Sequence, residues 1–154
     1  MTADLVLDIK NETGEGPVWD PVAQALWWTD IPAATLHRLL PGSGKHDTFA
    51  APGRVGSFAL HRDGGLLLAI EHAFGKFEPA TGRYTELAAP ELGMTGNRFN
   101  DGRCDRRGRF YAGSMYEPRG REGGALWRYD GGAICTRVAD GVTVANGLAW
   151  SPDD

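Results

Sequence analysis

Residues 97–115 read NRFNDGRCDRRGRFYAGSM, and this stretch of the sequence indicates the fold. It begins with the polar cluster NRFND and continues, after Gly102, as a short alternating run, a turn at residues 105–108 and a second run at residues 109–115. A strand, a tight turn and another strand are typical of a β-hairpin. We expect the polar cluster to lie in a loop before the first strand, because binding groups often occupy the loops of rigid β scaffolds.

Similar units recur along the chain. Glycines that precede a short strand, a turn and an apolar strand stand at positions 16, 56, 102 and 147, at intervals of 40, 46 and 45 residues. In each complete unit a second hairpin follows, with strands predicted at residues 35–40 and 45–49, 75–77 and 83–87, and 125–129 and 133–138. Four strands in about 40 to 45 residues are typical of one blade of a β-propeller. A β-sandwich with regular turns is the alternative, but a sandwich need not repeat the same order of four strands three times.

The repeats predict an all-β chain, a single domain over residues 1–154, with three four-stranded blades and the first strand of a fourth. Propellers typically close a ring of four or more blades, and closure protects the strand edges. We therefore expect the chain to be about half of a longer ring, truncated at its C-terminus, with residues 5–9 as a strand that completes the last blade. Two open blade faces would expose apolar surface and favour self-association.

Composition limits the classes of partner. A net charge of −4 argues against a nucleic-acid-binding protein, because such proteins neutralise phosphates with basic residues. The sequence contains no run of 18 apolar residues and so predicts no transmembrane helix. Its N-terminus is acidic, whereas the start of a signal peptide is basic. We expect a cytoplasmic protein without a membrane partner. We expect Cys104 and Cys135 to be reduced thiols, since neither has the spacing of a metal site.

The residues just before the repeat glycines form the candidate site. They are Glu15, Val55, the pair Asn100 and Asp101, and Asn146. The innermost strand of each propeller blade lines the central channel, so equivalent residues before these strands should converge on one mouth of that channel. Carboxylate and amide oxygens suit a hard divalent cation such as Ca²⁺, Mg²⁺ or Mn²⁺, and no histidine belongs to the set. Asp-Gly and Asn-Gly are also common turn dipeptides, so a purely structural role is the alternative for either pair taken singly.

Five short motifs resemble one known family. They are GEGPVW at residues 14–19, WTDIP at 28–32, NRFNDG at 97–102, GRFYAGSM at 108–115 and ANGLAWS at 145–151. They resemble the SMP-30/gluconolactonase/LRE-like family, which includes regucalcin and bacterial sugar lactonases, over the N-terminal half of its members. The resemblance implies a six-bladed propeller with one divalent metal ion, Ca²⁺, Zn²⁺, Mg²⁺ or Mn²⁺, in the channel. It implies that Glu15 and Asn146 bind this metal together with an aspartate that would lie beyond Asp154.

The resemblance also implies which residues bind the substrate. Arg98, which taken alone is either a surface charge or a planar fork for an oxygen-rich ligand, would hold sugar hydroxyls together with Asn100. Asp101 would line the same site. Glu117 is a further candidate for substrate binding, and an alternative alignment puts Pro118 at that position.

The reaction that the resemblance implies is hydrolysis of an aldonolactone to its aldonic acid. The metal would polarise the lactone carbonyl and lower the pKa of bound water, and the aspartate beyond residue 154 would be the general base. The expected function is therefore a gluconolactonase-like hydrolase, of which this chain holds the N-terminal half of the site and is weakly active or inactive alone. The alternatives are a non-catalytic calcium- or metal-binding propeller module, as in regucalcin, and a half-ring that dimerises head to tail.

Overall fold

Twelve β-strands in three sheets make up the described part of the chain. The structure, a computed structural model, describes residues 2–118 and 122–153. Each sheet has four antiparallel strands in sequence order, and each sheet is one blade. This arrangement confirms the all-β class and the three predicted blades. No helix in these residues is long and apolar enough to cross a membrane.

The strands of the three blades have the following bounds. The first blade contains β1 (Gly14–Asp20), β2 (Ala25–Asp30), β3 (Thr35–Leu40) and β4 (Lys45–Ala50). The second contains β5 (Val55–Leu60), β6 (Leu66–Ile70), β7 (Ala73–Glu78) and β8 (Arg83–Ala88). The third contains β9 (Asn97–Cys104), β10 (Phe110–Tyr116), β11 (Gly124–Gly131) and β12 (Ile134–Val142). The innermost strands are β1, β5 and β9, and β5 contacts both of the others.

Equivalent glycines close the outer hairpins of the first two blades. Gly44 and Gly82 have positive φ angles of 69° and 70°, a conformation that glycine adopts easily because it has no Cβ. Their backbone N–H groups donate to the carbonyl oxygens of Leu40 and Glu78, each at 2.9 Å. The repeat in the sequence is therefore also a repeat of backbone geometry.

The second blade is buried on both faces. Every residue of β6 is buried, and its side chains alternate between two hydrophobic clusters because neighbouring residues of a strand point to opposite faces. One cluster joins the second blade to the first and contains the buried residues Ala25, Trp27, Leu36, Val55, Phe58, Leu66, Leu68, Ile70 and Phe77. The other joins it to the third blade and contains Ala59, Leu67, Ala69, Phe74, Phe99, Phe110 and Ala112. Burial of one leucine or phenylalanine side chain contributes about 1.5–3 kcal/mol, so these clusters hold the three blades together.

Both cysteines lie at the contact between the second and third blades. Cys104 in β9 and Cys135 in β12 are free, half-buried thiols that pack against the second of these clusters. Burial, followed by the carboxylates of Asp105 and Asp130, raises the pKa of each thiol to about 11. Both are therefore protonated at neutral pH.

Three parts of the chain differ from the expectations above. The polar cluster at residues 97–101 lies within β9, not in a loop before it, because it pairs with the end of β10 across a β-bulge. Residues 5–9 form no strand, and Leu5 and Val6 are 80% and 71% exposed. Residues 145–150 form no strand either, although Val144 makes a single bridge to Met115. A strand needs a neighbour that pairs with its backbone N–H and C=O groups, and within the described residues no strand forms such a ladder with either segment.

Candidate functional site

The three innermost strands begin at one end of the structure, which we call the mouth. A β-bulge interrupts the pairing of each of these strands at or next to its repeat glycine: between Glu15 and Val18, between Val55 and Ser57, and between Phe99 and Gly102. Bulges change the direction of the side chains around them. The second strand of each blade is antiparallel to the first, so β2, β6 and β10 end at the mouth.

Arg98 and Asn100 are joined at the start of β9. The Arg98 side chain is only 13% exposed. Its Nη1 donates to Asn100 Oδ1 and to the Phe99 carbonyl oxygen, each at 3.0 Å. Asn100 is buried and donates through Nδ2 to the Ala145 carbonyl oxygen at 2.8 Å. Arg98 Nε donates to Glu117 Oε1 at 3.0 Å. Three of the predicted substrate-binding residues, Arg98, Asn100 and Glu117, therefore lie in one hydrogen-bonded group.

The fourth predicted substrate-binding residue, Asp101, ties the segment around Asn146 to β9. Its Oδ2 accepts the backbone N–H groups of Gly147 and Leu148 at 2.7 and 3.1 Å. Its Oδ1 accepts the N–H of Gly102 at 2.8 Å. Asn146 is exposed, and its Oδ1 accepts the N–H of Gly147 at 3.0 Å. The structure thus brings Asp101 and the predicted metal ligand Asn146 close together.

Glu15, the other predicted metal ligand, stands at the start of β1. Glu15 pairs with Thr29 of β2. Because the Thr29 hydroxyl donates to the Val55 carbonyl oxygen at 3.1 Å, Glu15 lies near the start of β5. Its half-exposed carboxylate has no hydrogen-bond or ion-pair partner within residues 2–118 and 122–153. In that part of the chain no hydrogen bond joins Glu15 to Asn146 or Asp101.

A divalent cation is the group that the predicted metal ligands would hold. The described residues contain no group of three or more histidine, cysteine, aspartate or glutamate side chains able to bind one. Glu15 nevertheless supplies a carboxylate without a protein partner, and Asn146 supplies an exposed amide oxygen. These are donor types that hard cations prefer, but such ions take six or more oxygen ligands. The two side chains therefore fit one part of a cation site.

A concave space of about 350 Å³ lies along the innermost strands. It is lined by residues 16–19 of β1, 57–60 of β5 and 101–104 of β9, so Asp101 borders it. The Ser57 hydroxyl is buried there and has no hydrogen-bond partner among the described residues. The volume is at the lower end of the range for ligand pockets and suits a small molecule.

The sequence reasoning missed two residues of the group at the mouth, Arg54 and Glu71. Arg54 Nη1 lies 2.7 Å from both carboxylate oxygens of Glu117, and Arg54 Nε and Nη2 bond Glu71 at 3.0 and 2.9 Å. The repeats contain a signal that could have identified both. Arg54 and Asn100 each stand two residues before a repeat glycine. Glu71 directly follows β6, as Glu117 directly follows β10.

Opposite charges keep this group ionised. The guanidinium of Arg54, and then that of Arg98, lowers the pKa of Glu117. Burial raises the pKa of Glu71, but the bonds from Arg54 outweigh burial and leave that pKa below its usual value. The two carboxylates in turn raise the pKa of Arg54. At neutral pH two positive and two negative side chains therefore face one another at the mouth.

Comparison with known proteins finds relatives along nearly the whole chain. The family model described as SMP-30/Gluconolactonase/LRE-like region matches residues 13–154. The chain is 43% identical over 153 residues to 6-deoxy-6-sulfogluconolactonase from Pseudomonas putida, and the match covers 99% of this chain and 52% of that protein. It is 33% identical over 156 residues to pentonolactonase XacC from Haloferax volcanii, with 99% of this chain and 51% of that protein covered.

A solved structure shares the fold. Regucalcin from Agrobacterium tumefaciens, described as a calcium-binding protein, matches with a TM-score of 0.87 and 30% identity, over 93% of this chain and 48% of that one. The chain spans about half the length of the curated relatives it matches. Its three blades match the six-bladed propellers of these relatives over about half of their length. A family model that covers nearly all of the sequence, together with relatives of this identity, shows that the chain belongs to the SMP-30/gluconolactonase/LRE-like family.

Proposed function

We propose that this chain contributes the N-terminal part of a metal-dependent hydrolase that opens a sugar lactone, an aldonolactone, to its aldonic acid. The observation that carries the proposal is the hydrogen-bonded group of Arg98, Asn100 and Glu117 at the mouth. Membership of a family whose named relatives include two sugar lactonases supports it.

Arg98 and Asn100 supply binding chemistry for such a substrate. Arg98 Nη2 is the one nitrogen of its guanidinium without a hydrogen-bond partner in the described residues. A planar N–H donor suits the hydroxyl and carbonyl oxygens of a lactone. Asn100 bonds Arg98 and is itself held by the Ala145 carbonyl oxygen, so the donor is oriented before the substrate arrives. Asp101, the next residue of β9, borders the concave space along the innermost strands, where its carboxylate can accept a sugar hydroxyl.

Glu15 and Asn146 are the residues that would hold the cation. When bound, the cation supplies Lewis-acid polarisation of the lactone carbonyl and a lower pKa for bound water. Glu117 is a poor general base at neutral pH, because Arg54 and Arg98 lower its pKa. We propose that the general base comes from the half of the relatives' length that this chain does not span.

The test measures lactone hydrolysis and cation binding on the same protein. After metal removal with EDTA, acid release from glucono-δ-lactone above the spontaneous rate is followed with Ca²⁺, Zn²⁺, Mg²⁺ or Mn²⁺, and binding of each ion is measured by calorimetry. We expect weak, cation-dependent hydrolysis. Arg98→Gln should lower kcat/KM by about tenfold or more, because it removes a donor to the substrate. Glu15→Gln should abolish cation binding.

Glu12→Gln is the matched control, because it neutralises a nearby exposed carboxylate of the same segment. It should leave both hydrolysis and cation binding unchanged. A cation affinity that Glu15→Gln does not reduce, together with hydrolysis that Arg98→Gln does not reduce, would contradict the proposal.

A non-catalytic cation-binding module is the second candidate. The unpartnered carboxylate of Glu15 favours it, because cation binding needs this oxygen donor but no general base. Cation binding that depends on Glu15, without hydrolysis of any aldonolactone, is the outcome that supports this candidate over the first.

A further inference from the structure

Arg54 and Glu71 hold each other firmly at the second blade. Arg54 Nε and Nη2 bond the two carboxylate oxygens of Glu71 at 3.0 and 2.9 Å, and the backbone N–H of Arg54 bonds Glu71 Oε1 at 2.9 Å. The backbone N–H of Glu71 donates to the Arg54 carbonyl oxygen at 3.1 Å. Glu71 also has a φ angle of 44°, in the left-handed region that residues other than glycine rarely adopt. Side chain and backbone together therefore restrict both residues.

This pair reaches the third blade through Glu117. Arg54 Nη1 lies 2.7 Å from each carboxylate oxygen of Glu117, and Glu117 Oε1 also accepts from Arg98 Nε at 3.0 Å. The Glu71 carbonyl oxygen accepts the N–H of Phe99, the neighbour of Arg98, at 2.7 Å. Side-chain and backbone bonds thus cross between the blades at the same place. The charges alternate along the ion-pair row Glu71, Arg54, Glu117, Arg98.

Arg54 and Arg98 differ in whether a guanidinium nitrogen remains available to bind a ligand. Each of the three guanidinium nitrogens of Arg54 bonds a carboxylate. Arg98 keeps Nη2 without a partner in the part of the chain that the structure describes. The Arg98 side chain is also the more buried of the two, at 13% exposure against 35% for Arg54. Arg54 therefore holds the ion-pair row, and Arg98 presents a donor.

From this arrangement we infer that Arg54, together with Glu71, is a positioning residue that orients Arg98 through Glu117. The inference rests on the proposed function, because it takes Arg98 as the group that contacts the lactone. It gives Glu117 a bridging role and adds two residues of the second blade to the site. A flexible arginine binds a ligand in one geometry more tightly when its rotamers are restricted before binding. Carboxylates shared between two guanidinium groups supply that restriction.

Arginine Nε–H signals in nitrogen–proton correlation spectra of the free chain test the positioning directly. We expect Arg54→Gln to shift the Arg98 Nε–H signal toward that of a free arginine and to speed its exchange with water, because Glu117, which accepts this N–H, loses the bonds from Arg54 that fix its carboxylate. Arg83→Gln is the matched control: it removes another arginine of the second blade that pairs with a glutamate, Glu78, and should leave the Arg98 signal unchanged.

Two further variants make the test independent of folding defects and define the route. Arg54→Lys keeps the charge but cannot bond two carboxylates at once, so it should give an intermediate shift in a chain that remains folded. Adding Arg54→Gln to Glu117→Gln should produce no further change in the Arg98 signal if Arg54 acts through Glu117. In lactone hydrolysis, Arg54→Gln should raise KM by about tenfold and change kcat by less than about twofold.

The outcomes separate this inference from the proposed function. An Arg98 signal that Arg54→Gln leaves unchanged overturns the positioning role, whatever the chain hydrolyses. A shifted signal in a chain that neither binds nor hydrolyses lactones supports the ion-pair row and counts against the proposed function alone. A rise in KM that Arg54→Gln still causes in the Glu117→Gln background shows that Arg54 contacts the substrate itself, which also overturns the inference.

Discussion

Asp101 attaches Gly147 and Leu148 to the third blade with one carboxylate. Its carboxylate accepts the N–H groups of Gly147 and Leu148, and hydrogen bonds to a charged group contribute about 1.5–3 kcal/mol. Asparagine has one acceptor oxygen and no charge. We predict that Asp101→Asn raises the hydrogen-exchange rates of the Gly147 and Leu148 amides by about tenfold or more, measured by nitrogen–proton NMR.

The control for this prediction is Asp20→Asn. Asp20 likewise accepts two backbone N–H groups, those of Val22 and Ala23, but it lies at a turn of the first blade. Exchange at Gly147 and Leu148 should keep its wild-type rate in this variant. Equal rates in the wild type and in Asp101→Asn would mean that other contacts hold the segment.

Neighbours on one strand are predictable from the sequence, whereas contacts between blades are not. Arg98, Asn100 and Asp101 stand together just before a repeat glycine, so their spacing is enough to group them. Arg54 and Glu117 are 63 residues apart and belong to different blades. Their contact depends on how β5 packs against β9 and on the direction of two long side chains, which no local pattern encodes. The metal-binding roles of the residues before Gly16 and Gly147 stay predictions.

At the scale of the strands, the close approach of β5 to β9 sets the spacing of the second and third blades. A Cβ at Gly56 would lie 2.5 Å from the carbonyl oxygens of Asn100 and Phe99, and backbone atoms cannot turn aside as a flexible side chain can. We predict that Gly56→Ala lowers the free energy of unfolding by about 1–3 kcal/mol in urea titrations. Gly42→Ala, at an exposed turn with open space, should change it by less than about 0.5 kcal/mol. Equal losses would point to glycine's backbone freedom and not to the close contact.

The first blade carries a pair of neighbouring histidines, of which His37 is buried and His46 is half-buried. His37 Nδ1 lies 3.1 Å from His46 Nε2, and Trp28 stacks on both rings. Burial, and then His46, lowers the pKa of His37, while Asp30 opposes the shift. The fold therefore favours the neutral imidazole. Its contribution to stability is complete above the unfolded pKa of about 6.5 and is lost as the pH falls through the lower pKa of the folded state.

From this shift we predict a melting temperature that is constant between about pH 8 and pH 7 and begins to fall as the pH drops below about 6.5. This onset lies above the range in which the carboxylates titrate. His37→Gln should flatten the fall, and His61→Gln, in the turn between β5 and β6, should preserve it. If scanning calorimetry gives the same fall for all three proteins, the pH dependence arises elsewhere in the chain.

Hairpins are the elements that the sequence predicts best. Each is formed by residues close in sequence, so alternation and turn residues are enough to place all three blades. The segments at residues 5–9 and 145–150 have similar local patterns, but no strand of the described structure pairs with their backbones in a ladder. Whether these residues form strands depends on pairing with a strand distant in sequence, and a local sequence pattern does not identify that strand.

At the scale of the whole molecule, the third blade leaves its outermost strand uncovered. Ile134 and Val138 of β12 are 65% and 47% exposed, and Val144 just beyond it is 40% exposed. Apolar side chains grouped at an uncovered strand favour association. We predict that the chain self-associates with rising concentration in sedimentation velocity experiments.

A double variant tests which surface is responsible. Ile134→Lys with Val138→Lys should shift the chain toward the monomer. Leu92→Lys is the matched control, since Leu92 is 78% exposed but lies in the connection between β8 and β9. A chain that is monomeric at every concentration would contradict the prediction. Association that survives the double variant would mean that another surface, such as the open face of the first blade, is used.

The placement of Cys104 and Cys135 between the second and third blades has a practical consequence. Disulfide reagents react with thiolates that they can reach, and burial raises the pKa of both thiols to about 11. Reaction at neutral pH is therefore slow in the folded chain and becomes faster when these two blades separate. The chain thus carries its own reporter of that separation. Comparing its labelling rate with the free energy of unfolding in urea distinguishes blades that part locally from blades that part only when the whole chain unfolds.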